Sequence, residues 1–214
     1  MNRQKLLNTA FILSIITIVY NILEGVISVY FGIEDESLSL LGFGSDSFVE
    51  VISGIGIAHM VLRMRFSEVD QTDKFERQAL RITGSGFYLL TVGIIFGAVF
   101  SIIEKSKPET TIPGLIISGV SIATMFFLMR YKLVIGKKLD SEAIIADANC
   151  TKSCLYLSIV LLASSGLYEI FKIGYIDILG SLGIAWFTFK EGKEAFEKVR
   201  KNKIACCCDN NCKK

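Results

Sequence analysis

Residues 38–62 read LSLLGFGSDSFVEVISGIGIAHMVL, a mainly apolar run broken by two carboxylates, Asp46 and Glu50. A helix needs roughly 20 such residues to cross a bilayer core about 30 Å thick, at about 1.5 Å rise per residue, and this run is longer than that. An ionisable group inside such a helix costs about 2.5–3.5 kcal/mol on insertion scales, so each carboxylate needs a partner or a task. A purely structural role is a poor account of two like charges one turn apart.

Outward from this segment, five further apolar stretches occupy residues 6–31, 79–103, 112–135, 143–164 and 175–189, the last two shorter or more polar than the rest. The whole chain agrees: 51% of its 214 residues are hydrophobic and 21% charged, with mean hydropathy +0.51. That composition argues against an ordinary soluble enzyme. Two prolines, and 18 glycines dispersed through apolar runs, fit long helices better than many short strands. The first run lacks a small-residue cleavage site and continues past the length of a signal h-region, so it reads as a retained span. The expected fold class is therefore an all-α membrane protein, a six-transmembrane-helix bundle whose short connections favour antiparallel neighbours.

Basic residues are distributed unevenly around these spans. Arg3, Lys5, Arg63, Arg65, Lys74, Arg77, Arg81, Arg130, Lys132, Lys137 and Lys138 fall on one side, with the basic residues from Lys190 onward. The other side holds Lys105, Lys107 and Lys172, and its first loop carries Glu34, Asp35 and Glu36. The basic side is assigned to the cytoplasm, with both termini. A soluble six-helix bundle would leave this asymmetry unexplained. A formal net charge of +2 offers no global field for a nucleic-acid partner, so none is expected. Residues 1–200 read as the six-helix domain, and 201–214 as a flexible cytoplasmic tail rich in cysteine, too short to fold alone.

The second polar cluster lies in the fifth span, which contains Asp147, Cys150, Lys152 and Cys154. Spacings of four place Asp46 with Glu50, and Cys150 with Cys154, on one face of their helices about 6 Å apart along the axis. The midpoint of the carboxylate pair lies ~15 Å below one surface, and that of the thiol pair ~13 Å above the other, so both fall near the midplane. Two carboxylates and two thiolates suit a tetrahedral divalent cation, whose charge offsets the burial of the acids. Without a cation the same groups should hold protons, since desolvation and mutual repulsion both disfavour their charged forms. Binding the cation would release those protons. Against this stands the commoner role of a Cys-x-x-x-Cys in an apolar helix, which is packing.

These segments resemble the cation diffusion facilitator family of metal/proton antiporters. SLLGFGSDSFVE at residues 39–50 is similar to that family's small-x-x-x-Asp-Ser-x-x-(acid or His) motif. ADANCTKSC at residues 146–154 is similar to its Ala-Asp-x-x-His-x-x-Ser-Asp motif. A third likeness is DILGS at residues 177–181, followed by an apolar run to Trp186 and then Glu191-Gly192. The resemblance implies a homodimeric secondary active transporter, not an enzyme, in a prokaryotic cell (inner) membrane. Its cargo would be a metal ion and protons the counter-ion, with Asp46, Glu50, Cys150 and Cys154 as the transport site. Two departures accompany it. Cysteine replaces the family's His and Asp on the fifth span, which favours Zn²⁺ or another soft divalent ion such as Cd²⁺ or Hg²⁺ over Mn²⁺ or Mg²⁺. The likeness covers about residues 6–200 and does not extend to the family's cytoplasmic ferredoxin-like domain, so the chain reads as a truncated form.

Cys206, Cys207, Cys208 and Cys212 lie among lysines that favour thiolate; a metal-capturing tail, a lipidated cluster and an end with no specific role all fit them. Asn21 and Glu24, one turn apart in the first span, read as groups that orient the site or give water access, or as an interhelical hydrogen bond. Asp147 could draw cations inward or pair with a nearby base. Asp177 could support the site or receive Lys152, whose side chain should point away from Cys150. His59 reads as a packed or interfacial histidine sooner than a proton relay. Gly93 and Gly97 form a small-x-x-x-small step that allows close helix approach. A reading from another class is a membrane thiol-disulfide oxidoreductase using Cys150 and Cys154, chemistry that has no need of Asp46 and Glu50.

Overall fold

The computed structural model describes residues 3–66, 74–104, 111–139 and 142–201. These form six helices: α1 (Arg3–Glu34), α2 (Leu38–Phe66), α3 (Lys74–Glu104), α4 (Ile112–Leu139), α5 (Glu142–Phe171) and α6 (Tyr175–Lys201). Among the described residues there is no strand. Five of the six helices are long and apolar enough to cross a membrane. The sixth, counted among the spans from the sequence, does not reach that standard. Its apolar part ends at Phe189, after which the same helix continues through Lys190, Glu191, Lys193 and Glu194.

Helix ends explain how the chain reverses. Connections 35–37 and 172–174 sit at one end of the bundle, termed distal here; the N-terminus and the α2–α3 and α4–α5 connections mark the proximal end. Both three-residue distal connections use a non-glycine residue in the left-handed region, Glu36 and Lys172, each with φ 54°. Such a residue just past a helix stops it and turns the chain. Ser37 then caps α2, its hydroxyl accepting from Leu40 N at 3.3 Å. Asp177 reinforces this cap from α6: its carboxylate accepts from Leu38 N and Ser37 Oγ, both at 2.8 Å, and from the Ser39 hydroxyl. Likewise Glu169 of α5 accepts from Thr111 N at 2.6 Å at the start of α4.

α2 occupies the centre, touching α1, α3, α5 and α6, and its most extensive partner is α1. Gly44 permits that closeness, since a Cβ there would lie 2.6 Å from Ser28 Cβ and 2.8 Å from the Val29 backbone nitrogen. Distally, Leu40 and Phe43 pack with Ile94, Leu157, Leu161 and Ile184; proximally, Ile57, Met60 and Val61 pack with Leu6, Ala10, Ile135 and Ile144. Between these apolar clusters lies a polar layer at Asp46–Glu50. The exterior is inverted relative to a soluble protein: Leu89, Phe96, Ile103 and Trp186 are exposed while Ser28, Ser39, Ser121 and Ser158 are fully buried. An apolar surface of this kind suits acyl chains.

Gly97 packs against Leu38, but the Cβ position of Gly93 meets nothing within 4 Å, so the expected two-glycine step is half used within the subunit. Gly44→Val should therefore lower the thermal unfolding midpoint of the purified protein in detergent, by the equivalent of about 1–3 kcal/mol for overpacking. Gly93→Val, measured in parallel, should stay within about 0.5 kcal/mol, the usual range for a surface change.

Candidate metal centre

Three helices meet at Glu50. Cys154 of α5 donates its thiol hydrogen to Glu50 Oε1 at 2.6 Å, and Asn21 of α1 donates its amide to Glu50 Oε2 at 3.2 Å. Glu50 itself is half-buried, whereas Asn21, Asp46 and Cys154 are buried. Asp46 stands one turn distal to Glu50 on the same helix, and among the described residues its Oδ1 has no hydrogen-bond partner. Leaving a carboxylate oxygen buried and unmatched is costly in an apolar interior, and a cation removes that cost.

Glu24 lies one turn along α1 from Asn21 and is also buried. It accepts from Ser47 Oγ at 3.1 Å and from Tyr20 OH at 3.0 Å. Helix α1 thus ties itself to α2 on the proximal side of Asp46, through Ser47 and through Glu50. Sequence spacing named Asn21 and Glu24 as candidates, but their partners could not be read from it.

Of the four expected donors, the structure brings Glu50 and Cys154 into contact. Among the described residues no three His, Cys, Asp or Glu side chains converge closely enough to form a ready-made metal site. Glu50 is turned toward Cys154 and Asn21 by the two hydrogen bonds it accepts. Cys150 belongs to α5 by its backbone, one turn proximal to Cys154; its side chain lies outside the described residues, as do Cys206, Cys207, Cys208 and Cys212.

Two candidates are engaged elsewhere. Asp177 caps α2 at the distal end instead of supporting the site. Asp147 forms an ion pair with Lys132 of α4 at 3.0 Å, and Lys132 also donates to Thr151 Oγ1 at 3.1 Å. Lys132 was counted with the cytoplasmic basic residues, yet only 2% of it is exposed. The signal that could have found it was Asp147, an acid in an apolar stretch that needed a partner. Lys152 lies over the Tyr156 ring at 5.7 Å, and Asp177 is engaged at the α2 cap. His59 is half-buried on proximal α2, well past Glu50.

A membrane-embedded helical bundle with buried acids and a thiol gathered at its middle has the make-up of a cation transporter. Residues 10–201 match the family model of the cation efflux transmembrane domain, and the chain belongs to the cation efflux family. It is 26% identical over 208 residues to protein p34 of Rickettsia rickettsii (strain Sheila Smith), covering 95% of this chain and 67% of that protein. To an uncharacterized transporter of Methanocaldococcus jannaschii it is 30% identical over 181 residues, 82% of this chain and 63% of the relative. Protein p34 of Rickettsia prowazekii (strain Madrid E) is 24% identical over 184 residues, 84% of this chain and 60% of the relative. The chain thus spans about two thirds of the length of these curated relatives. The chain is an integral membrane member of that family.

The Lys132–Asp147 pair supplies a stability test. Breaking a buried pair by removing one partner costs about 3–5 kcal/mol, because the other charge is left uncompensated. Lys132→Met should markedly lower the thermal unfolding midpoint in detergent, and the double change Lys132→Met with Asp147→Leu should recover most of the loss.

Proposed function

We propose that the protein exports a soft divalent metal ion, Zn²⁺ or Cd²⁺ and by the same chemistry Hg²⁺, from the cytoplasm in exchange for protons. The observation that carries this reading is the buried, unmatched Asp46 Oδ1 one turn from a Glu50 carboxylate held by the Cys154 thiol. Carboxylate oxygens attract the divalent charge, and thiolate sulfur shifts preference toward softer ions. Cys150, one turn from Cys154 on α5, is the fourth donor in this reading.

Proton coupling follows from the same contact. Cys154 donates to Glu50, so the thiol carries its proton in this arrangement. A metal ligates the thiolate, so that proton must leave as the cation arrives, and returns when the cation departs. Transport then requires the midplane site to face the two sides in turn, by movement of helices around it. The proposal includes a homodimer in a prokaryotic cell membrane with both termini in the cytoplasm, on the strength of the family likeness and the charge distribution. No observation favours the thiol-disulfide oxidoreductase: the Cys154 thiol is given to Glu50.

In proteoliposomes with an imposed pH gradient, wild-type protein should accumulate Zn²⁺ or Cd²⁺, and dissipating the gradient should abolish accumulation. Asp46→Ala and Cys154→Ala should each reduce uptake to the level of empty vesicles. Survival of transport in both variants would overturn the site assignment.

A further inference from the structure

Asn21 is buried to 98%, and only half of its amide is accounted for. Its nitrogen donates to Glu50 Oε2 at 3.2 Å. The amide oxygen is the atom left over, and among the described residues it has no hydrogen-bond partner. The neighbouring acid is in the same condition, with Asp46 Oδ1 also buried and unmatched. Two acceptors without donors, on residues that flank one carboxylate from two helices, are a costly arrangement in an apolar interior. On α1 the nearest hydroxyls are engaged elsewhere: Tyr20 is given to Glu24, and Thr17 to the Leu13 carbonyl. What would match both oxygens at once is a positive charge.

We infer that Asn21 is a ligand of the transported cation, its amide oxygen adding a fifth donor from α1 to those of α2 and α5. This rests on the proposed cation site and deepens it, since it bears on which ions the site prefers. Four donors of tetrahedral disposition match Zn²⁺, which is nearly always four-coordinate in closed protein sites. A neutral carbonyl oxygen added to two acids and sulfur favours a larger divalent ion that accepts five or more donors, such as Cd²⁺. The approach of α1 that makes this geometry attainable is set by Gly44, where the two backbones come close enough for a short Asn side chain to reach Glu50.

The test is a Co²⁺ titration of the full chain purified in detergent, followed by the visible ligand-field band, whose intensity is low for five-coordinate and high for four-coordinate Co²⁺. Wild type should show the weak five-coordinate band. Asn21→Ala should bind several-fold more weakly and gain several-fold in band intensity, while Asn21→Asp, which keeps an oxygen and adds charge, should keep the weak band and bind at least tenfold tighter. An identical band in wild type and Asn21→Ala, or a four-coordinate band in wild type, would overturn the inference and leave Asn21 as a residue that only positions Glu50. Should Asn21→Ala fail to fold, Asn21→Asp decides alone. Weaker Co²⁺ binding there, as repulsion from Glu50 would produce, rejects the ligand role. Asp46→Ala separates the two levels: Co²⁺ binding unchanged in that variant rejects the cation site itself and Asn21 with it. Binding lost in Asp46→Ala, together with an unaltered spectrum in Asn21→Ala, rejects Asn21 alone.

Discussion

Two carboxylates one helical turn apart inside an apolar bundle set the terms for everything around them. Asp46 and Glu50 cannot be solvated by lipid, so the helix that carries them has to be central. α2 is accordingly bordered by four of the other five helices. Each neighbour contributes what the acids need. α5 offers a thiol and α1 an amide to Glu50, while apolar clusters above and below keep the polar layer narrow. Ser47, adjacent to Asp46, is drawn to Glu24. The tight approach of α1 to α2 through Gly44 is thus a condition of the site as well as of packing.

Other polar side chains in the bundle hold helices in place at its ends. Asp177 and Glu169 act across helices as caps, supplying acceptors for the free N–H groups where α2 and α4 begin. Deeper in the bundle, Lys132 and Asp147 bind α4 to α5 near the thiol-bearing segment. A buried pair of this kind adds little net stability, because desolvation offsets attraction, but it makes the α4–α5 register specific. Beside these matched groups, Asp46 and Asn21 are among the described residues that keep a buried oxygen without a hydrogen-bond partner, and both stand next to Glu50.

Much of this architecture was legible along the chain. Helix number and approximate limits followed from apolar length, since a bilayer imposes a minimum that few other structures share. The candidate acids were legible for the same reason: a charge in residues 38–62 is expensive enough to stand out. Errors gathered where length and charge compete. α6 keeps helical geometry past Phe189 while its composition turns polar, so helix and span have different ends. Lys132 near the end of its apolar run looked like a surface base, because position along a helix does not say which face a side chain occupies. Asp177 matched a familiar motif, yet its use as an interhelical cap depends on where α6 starts relative to α2.

One-dimensional information therefore reached the fold class, the acids on α2, the cysteines on α5 and the polar residues on α1, because membrane insertion prices every polar atom individually. Pairing was decided in three dimensions. That Glu50 meets Cys154 and Asn21, that Lys132 meets Asp147, and that Asp46 is left with an unmatched oxygen all depend on helix rotation and proximity. Those are set by packing between helices, through close contacts such as Gly44 against Ser28 and Val29, and spacing within a single helix carries no record of them.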